Sequence, residues 1–214
     1  MEGTVAFRII TYDDPCAGWL NNPSTSAFEK QVVGRIAHLG LTLISIPVGI
    51  IEIAIGIISS VGVLLTLTLH SPTNNFARNS LLTGPAVLIV SPYRELLKTL
   101  NPTASFKATY NGGVFSYVFC KTLNSIYLVN LNSNNVLRNQ LCTRVIALSG
   151  IPINIIGSTI DLHIGLIAAT FSIITLGTFK KANMVALASL TGSIHVIKGI
   201  FCSIVCTFNP WAFQ

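Results

Sequence analysis

Two stretches of this chain are too long and too apolar to be ordinary core elements. Residues 36–69 carry only His38 and Glu52 as ionisable groups, and residues 145–179 carry only Asp161 and His163. A helix needs about 20 apolar residues to cross a bilayer, and a chain of 214 residues has too little else to cover two such runs in water. Composition agrees: 51% of residues are hydrophobic and 9% charged, where a soluble domain averages about 25% charged. The expected fold class is therefore a mainly α-helical integral membrane protein whose first partner is the lipid bilayer. The formal net charge is +6, but the basic residues are scattered singly and the aromatic residues sit inside apolar runs. No basic face for nucleic acid can be drawn.

Each run is either one long tilted helix or a hairpin of two shorter ones, and the sequence favours the hairpin. Pro47 and Pro152 interrupt the runs about a third of the way in, where a helix loses a backbone donor. Ser158-Thr159-Ile160-Asp161 has capping-box spacing. Basic residues flank both ends of each run, Arg35 and Arg78 around the first and Arg144 with Lys180-Lys181 around the second. The positive-inside tendency then asks for an even number of crossings per run. Residues 81–100 contain Pro85, Pro92, Arg94, Glu95 and Lys98 and read as a packed or interfacial amphipathic helix; residues 184–208, with only His195 and Lys198 ionisable, can cross the membrane. In the polar stretch between the apolar blocks, residues 114–119 and 126–131 are strand candidates joined by a turn at 122–125, and residues 4–12 are a further strand candidate.

The chain also resembles itself. Shifted by 109 residues, positions 35–69 meet 144–178 with 10 of 35 identical, among them Arg35 with Arg144 and Gly56 with Gly165, while Glu52 falls on Asp161. Shifted by 108, Leu82-Thr83-Gly84 meets Leu190-Thr191-Gly192 and Asn101-Pro102 meets Asn209-Pro210. This reads as a tandem duplication, organised as a polar lead (1–34), a first membrane repeat (35–106), an Asn-rich linker (107–143) and a second repeat (144–214). Two crossings per repeat make the halves parallel; three invert the second half, an arrangement used by small transporters. The expectation is two tandem, parallel repeats of a hydrophobic hairpin plus an amphipathic helix.

Chemistry-bearing residues are few. Glu52 and Asp161 are acids inside apolar runs, candidates either for an intramembrane proton or cation relay or for helix capping in a hairpin turn at the membrane surface; capping is the favoured reading. Gly56, Ser59 and Ser60, repeated as Gly165, Ala168 and Ala169, form a small-residue face suited to close helix packing, within the chain or between copies in a homo-oligomer. Asp161, His163 and His195 lack a nucleophile elbow. The five cysteines include no C-x-x-C pair. No catalytic, cofactor-binding or metal-binding residue is assigned, and no cofactor is expected. The start of the chain, with Arg8 and Asp13-Asp14-Pro15 breaking any apolar stretch, gives no expectation of a cleavable signal peptide.

The two-lobed first run, 36–51 then 53–69 broken at Glu52, resembles the inclusion membrane proteins of chlamydiae and related intracellular bacteria, and the repeated Leu100-Asn101-Pro102 and Phe208-Asn209-Pro210-Trp211-Ala212 endings look like those of hydrophobic proteins from environmental chlamydiae. That resemblance implies type III export, insertion in a host vacuole membrane and contact with host proteins. The favoured function is accordingly a structural or interaction role in a membrane, bacterial inner or vacuolar, without catalysis. The alternative is a small transporter or channel of inverted repeats that uses Glu52 and Asp161.

Overall fold

The computed structural model describes residues 19, 22–104, 106 and 113–213, and these are mainly helical, with no β-strand among the described residues. Helix α1 (Ala27–Leu65) is followed by α2 (Ser71–Pro85), a π-turn (Ala86–Val90) and α3 (Ser91–Leu100), which continue one another as a single rod. Helix α4 is Val114–Leu131; a π-turn (Leu137–Cys142) leads into α5 (Thr143–Ile174), and α6 is Lys180–Phe208. Three helical segments, Ala27–Leu65, Leu137–Ile174 and Lys180–Phe208, are long and apolar enough to cross a membrane. The strand candidate at 4–12 lies outside the described residues.

The outer helices are built with their polarity turned around. The buried residues of α1 are Gly34, His38, Ser45, Gly49, Glu52, Gly56 and Val63, nearly all small or polar. Its large side chains, from Ile36 and Leu43 to Ile58 and Leu65, are exposed. Helix α5 does the same, burying Ala147, Gly150, Asn154, Ser158, Asp161 and Gly165 while exposing Leu148, Ile156, Leu166 and Ile167. In lipid nothing drives large apolar groups inward, so small residues that allow close approach take the interface.

Two expectations fail at this level. Neither apolar run is a hairpin: Pro47 and Pro152 both lie inside uninterrupted helices. A proline removes one backbone bond and costs about 3 kcal/mol, but breaking the helix there would leave up to four donors and four acceptors without partners in hydrocarbon. The expected β-hairpin at 114–131 is likewise one helix, α4. A two-stranded hairpin leaves both edges unpaired, whereas a helix satisfies its own backbone.

Helix α1 packs antiparallel to the α2–α3 rod, and α5 packs antiparallel to α6. The registers match. A Cβ placed on Gly56 would lie 3.1 Å from the Leu81 backbone nitrogen, and one on Gly165 would lie 3.0 Å from the Leu190 backbone nitrogen. The turns that follow α1 and α5 match as well, with Leu67 and Leu176 both at φ 48° and Thr68 and Gly177 at φ 62° and 69°. Asn74 Nδ2 donates to the Thr68 carbonyl at 2.8 Å, and Asn183 Nδ2 to the Gly177 carbonyl at 2.7 Å. The rod of the first half carries one residue more between its two asparagines, Asn74 and Asn101, than α6 does between Asn183 and Asn209. The π-turn at Ala86–Val90 absorbs a residue of that kind, since its i→i+5 bonds take one more residue per turn.

The halves are exchanged at their ends. Asn101, just past α3, donates to the Leu176 carbonyl at 3.0 Å, and Asn209, just past α6, donates to the Thr68 carbonyl at 3.1 Å. The C-terminal end of α6 therefore sits at the C-terminal end of α1, and that of α3 at the C-terminal end of α5. Because each half is an antiparallel pair, α5 runs opposite to α1. The expected parallel arrangement is thus corrected: an even number of crossings per apolar run presupposed hairpins, and each run is a single helix. The core lies between the inner helices, where Ala86, Val87 and Val90 meet Ala186, Leu187, Leu190 and Ile194.

Candidate functional site

Asp161 is wholly buried at the middle of α5. Its carboxylate accepts from the backbone N–H of Phe115 at 3.1 Å and of Ser116 at 2.8 Å, and from the Ser116 hydroxyl. Phe115 and Ser116 are the second and third residues of α4, whose own cap position is Gly113 and provides no side-chain bond. Asp161 therefore caps another helix, in trans, and the favourable field of that helix's N-terminus stabilises the carboxylate in return. Gly113 has φ 24°, and any Cβ on it would collide with the Asp161 carboxylate. Its N–H donates to the Ala188 carbonyl at 2.9 Å, and the Ser158 hydroxyl donates to the Gly192 carbonyl at 3.3 Å, with the Ser116 hydroxyl oxygen 3.1 Å from that carbonyl while its proton goes to Asp161.

This constellation places the start of α4 at mid-depth in the bundle. The opposite end of α4 is level with the C-terminal end of α6, where the Tyr127 hydroxyl donates to the Pro210 carbonyl at 2.5 Å. Helix α4 thus runs from the middle of the bundle to one end. Asp161 does not lie in a surface hairpin turn, and Ser158 and Asp161 do not start a helix of their own: both are interior residues of α5. Glu52, also buried, holds the corresponding mid-helix position in α1, beside Gly84, where an added Cβ would lie 3.0 Å from the Glu52 carbonyl carbon and 2.6 Å from the Ile53 nitrogen.

The small-residue faces pack within the chain. Gly56 meets Leu81, Gly165 meets Leu190, and Ala168 and Ala169 join the core between α5 and α6. The Ser59 and Ser60 hydroxyls donate back to the Ile55 and Gly56 carbonyls, at 2.7 and 2.8 Å. His163 is exposed and hydrogen-bonded only locally, to the Thr159 carbonyl, so it does not join Asp161.

Two further features carry charge. In the first half, His38 Nδ1 lies 2.6 Å from one oxygen of Glu95, and Arg94 Nε donates to the other at 2.7 Å; both His38 and Glu95 are fully buried. In the second half, a cavity of about 630 Å³ opens among α4, α5 and α6. Arg78, Lys121 and Lys198 line it, together with Asn154, His195 and Cys120, over an otherwise mainly apolar wall. The Cys120 thiol donates to Asn154 Oδ1 at 2.9 Å, and the Arg78 guanidinium stands 5.1 Å above the Phe213 ring.

Sequence reasoning names His38, Arg94 and Glu95, and Arg78, His195 and Lys198 of the cavity, but misses Lys121 and does not foresee their meeting, since His38 and Glu95 are 57 residues apart. The available signal is the i, i+4 pair Arg94 and Lys98 around Glu95 on a helix otherwise apolar enough to be buried. No protein-family model matches the chain, and no curated protein or solved structure shows significant similarity to it.

Proposed function

We propose that this protein is a small multi-pass membrane transporter or channel built from two inverted repeats. The observation that carries the reading is the half-length helix α4, whose N-terminus stops at the middle of the bundle against a buried carboxylate. Ending a helix at that depth is tolerated only where protein or a water-filled cavity satisfies the backbone. Broken helices at the midplane of antiparallel halves are the usual setting for substrate and ion sites. Glu52 and Asp161 lie near the centres of the two apolar runs, at equivalent positions of two oppositely directed helices. A duplicated unit accounts for the paired turns, asparagines and glycine contacts together.

The structural role expected from the sequence goes with parallel repeats; the opposed directions of α1 and α5 favour the transport reading instead. The bilobed shape behind the resemblance to inclusion membrane proteins belongs to a single helix, so the proposal extends to membrane residence and not to a host partner. Lys30, Arg35, Arg94, Lys98, Lys180 and Lys181 gather at the end of the bundle where α1 begins, against Arg78, Arg138 and Arg144 toward the other. By the positive-inside tendency the first end faces the cytosol.

Cysteine labelling and flux test the reading together. In sealed vesicles, Cys142 and a cysteine placed at Lys180 in an otherwise cysteine-free chain are expected to react with an impermeant maleimide from opposite sides. Purified protein in liposomes is expected to dissipate an imposed ion gradient, and Asp161→Asn to lose that flux while still inserting. Labelling from one side, or flux no greater than that of empty liposomes, would overturn it.

A further inference from the structure

We infer that the cavity among α4, α5 and α6 is a binding site for an amphipathic anion: an apolar body bearing one carboxylate or phosphate head held between Lys198 and Arg78. This deepens the transport reading by naming a substrate class, and it rests on that reading only for the claim that the bound anion moves.

The lining decides the charge. Three cations, Arg78, Lys121 and Lys198, face the cavity, and among the described residues no carboxylate lines it. The ionisable groups around Lys198 include Cys202, Arg78, Cys120 and His195, none of them a carboxylate. Asp161, the acid near His195 and Cys120, is already engaged by two backbone N–H groups and a hydroxyl of α4. Two like charges facing a mainly apolar space are stabilised by an anion between them, since the low dielectric strengthens that attraction and water provides little screening. The Arg78 guanidinium carbon lies over the Phe213 ring, 5.1 Å from its centroid, and a guanidinium offers a carboxylate or phosphate two parallel donors.

The rest of the wall decides the body. Leu123, Leu128, Leu131, Ile146 and Phe213 are among the apolar residues of a mainly apolar wall. A volume of about 630 Å³ lies within the 300–1,000 Å³ range of pockets that enclose a small organic molecule. A bare inorganic ion would leave that apolar surface uncovered. Asn154, with the Cys120 thiol on its Oδ1, and the Tyr127 hydroxyl, tied to Pro210, hold the polar rim in fixed directions.

The same head and body chemistry occurs in membrane lipids such as fatty acids and in water-soluble aryl phosphates, and the test separates the two sources. Wild-type protein in nanodiscs of neutral phosphatidylcholine is titrated by calorimetry with dodecanoate, dodecanol, phenyl phosphate and inorganic phosphate. Dodecanoate is expected to bind at least tenfold more tightly than dodecanol, and inorganic phosphate more weakly than either organic anion. Lys198→Met and Arg78→Met are each expected to weaken dodecanoate tenfold or more, whereas Lys198→Arg stays within threefold of wild type. That last variant separates loss of charge from loss of fold. Comparable binding of phenyl phosphate assigns the aqueous source, and its absence assigns the bilayer; either agrees with the inference. Equal binding of dodecanol and dodecanoate, or unchanged binding in both methionine variants, overturns it. Anion binding without flux in liposomes would remove the transport reading and leave this site standing, while cation flux with no anion binding would do the reverse.

Discussion

The cation-lined cavity and the buried ion network occupy corresponding places in the two halves. Shifting His38 by 109 gives Ala147, and shifting Arg94, Glu95 and Lys98 by 108 gives Cys202, Ser203 and Cys206. All four of the latter positions line the cavity. Where the first half closes the gap between its two helices with a carboxylate held between a histidine and an arginine, the second half presents short side chains and leaves the space open. One scaffold thus supports two contents, and the difference lies in four side chains. A filled polar cluster occupies the space in the first half that the second half leaves as a cavity.

The largest effect should come from breaking the filled side. Glu95→Ala leaves His38 and Arg94 facing each other in a buried site, a loss of about 3–5 kcal/mol by the rule for removing one partner of a buried ion pair. Unfolding in mixed micelles measures it. Ser203→Ala, at the corresponding place, should change stability by less than about 1 kcal/mol, since no buried charge is stranded there. Converting the first half fully, with His38→Ala, Arg94→Cys, Glu95→Ser and Lys98→Cys together, should recover part of the Glu95→Ala loss. If the fourfold variant is less stable than Glu95→Ala, the two sites are not interchangeable and the comparison breaks.

Next in size is the cap. Asp161→Ala removes the only side-chain acceptor for two N–H groups at the start of α4, and should cost about 2–3 kcal/mol from the lost cap and the buried donors left open. Gly113→Ala forces a Cβ into the same carboxylate at a positive φ and should cost a similar amount. The double variant should fall short of the sum, because each change removes the contact that the other violates. Additive losses in a double-mutant cycle would mean that Asp161 and Gly113 act independently.

A third comparison uses the helix contacts. A Cβ on Gly84 would stand 2.6 Å from the Ile53 backbone nitrogen, where nothing flexible can yield, while one on Gly56 stands 3.1 Å from its nearest backbone neighbour. Gly84→Ala is expected to cost about 1–3 kcal/mol and Gly56→Ala less than about 1 kcal/mol. Thermal midpoints in detergent check the order, and a reversed order would show that the two helices are not held in this register.

Much of this was legible in the chain. Helices long and apolar enough to cross a membrane follow from residues 36–69 and 145–179 alone, and the paired Asn-Pro endings point to turns that the structure places in matching surroundings. What misled is equally local. Pro47, Pro152 and the Ser158–Asp161 spacing are ordinary helix-boundary signals, and they fail because hydrocarbon makes a broken helix costlier than a proline inside an unbroken one. Asp161 does cap a helix, but one that begins 47 residues earlier in the chain, a distance at which no spacing rule operates. The direction of the halves depends on α4 and on the crossed asparagine contacts, both of which are tertiary facts.

Those crossed contacts give the smallest and most discriminating prediction. Asn101 and Asn209 each spend a side-chain amide on the opposite half's turn carbonyl, and each also accepts locally, from the Thr103 and Trp211 backbone N–H groups at 3.1 Å. Replacing either by alanine removes these two bonds, and at Asn101 an exposed third one from the Thr103 hydroxyl at 2.6 Å, so each should cost about 1 kcal/mol in unfolding experiments, with the Asn101→Ala loss the larger by no more than about 0.5 kcal/mol. Because the sites lie at opposite ends of the bundle and share no partner, the double variant should be additive. A marked inequality would mean that one half holds the other in place, and the pseudo-symmetric exchange of ends would then be a likeness of backbone without a likeness of energy.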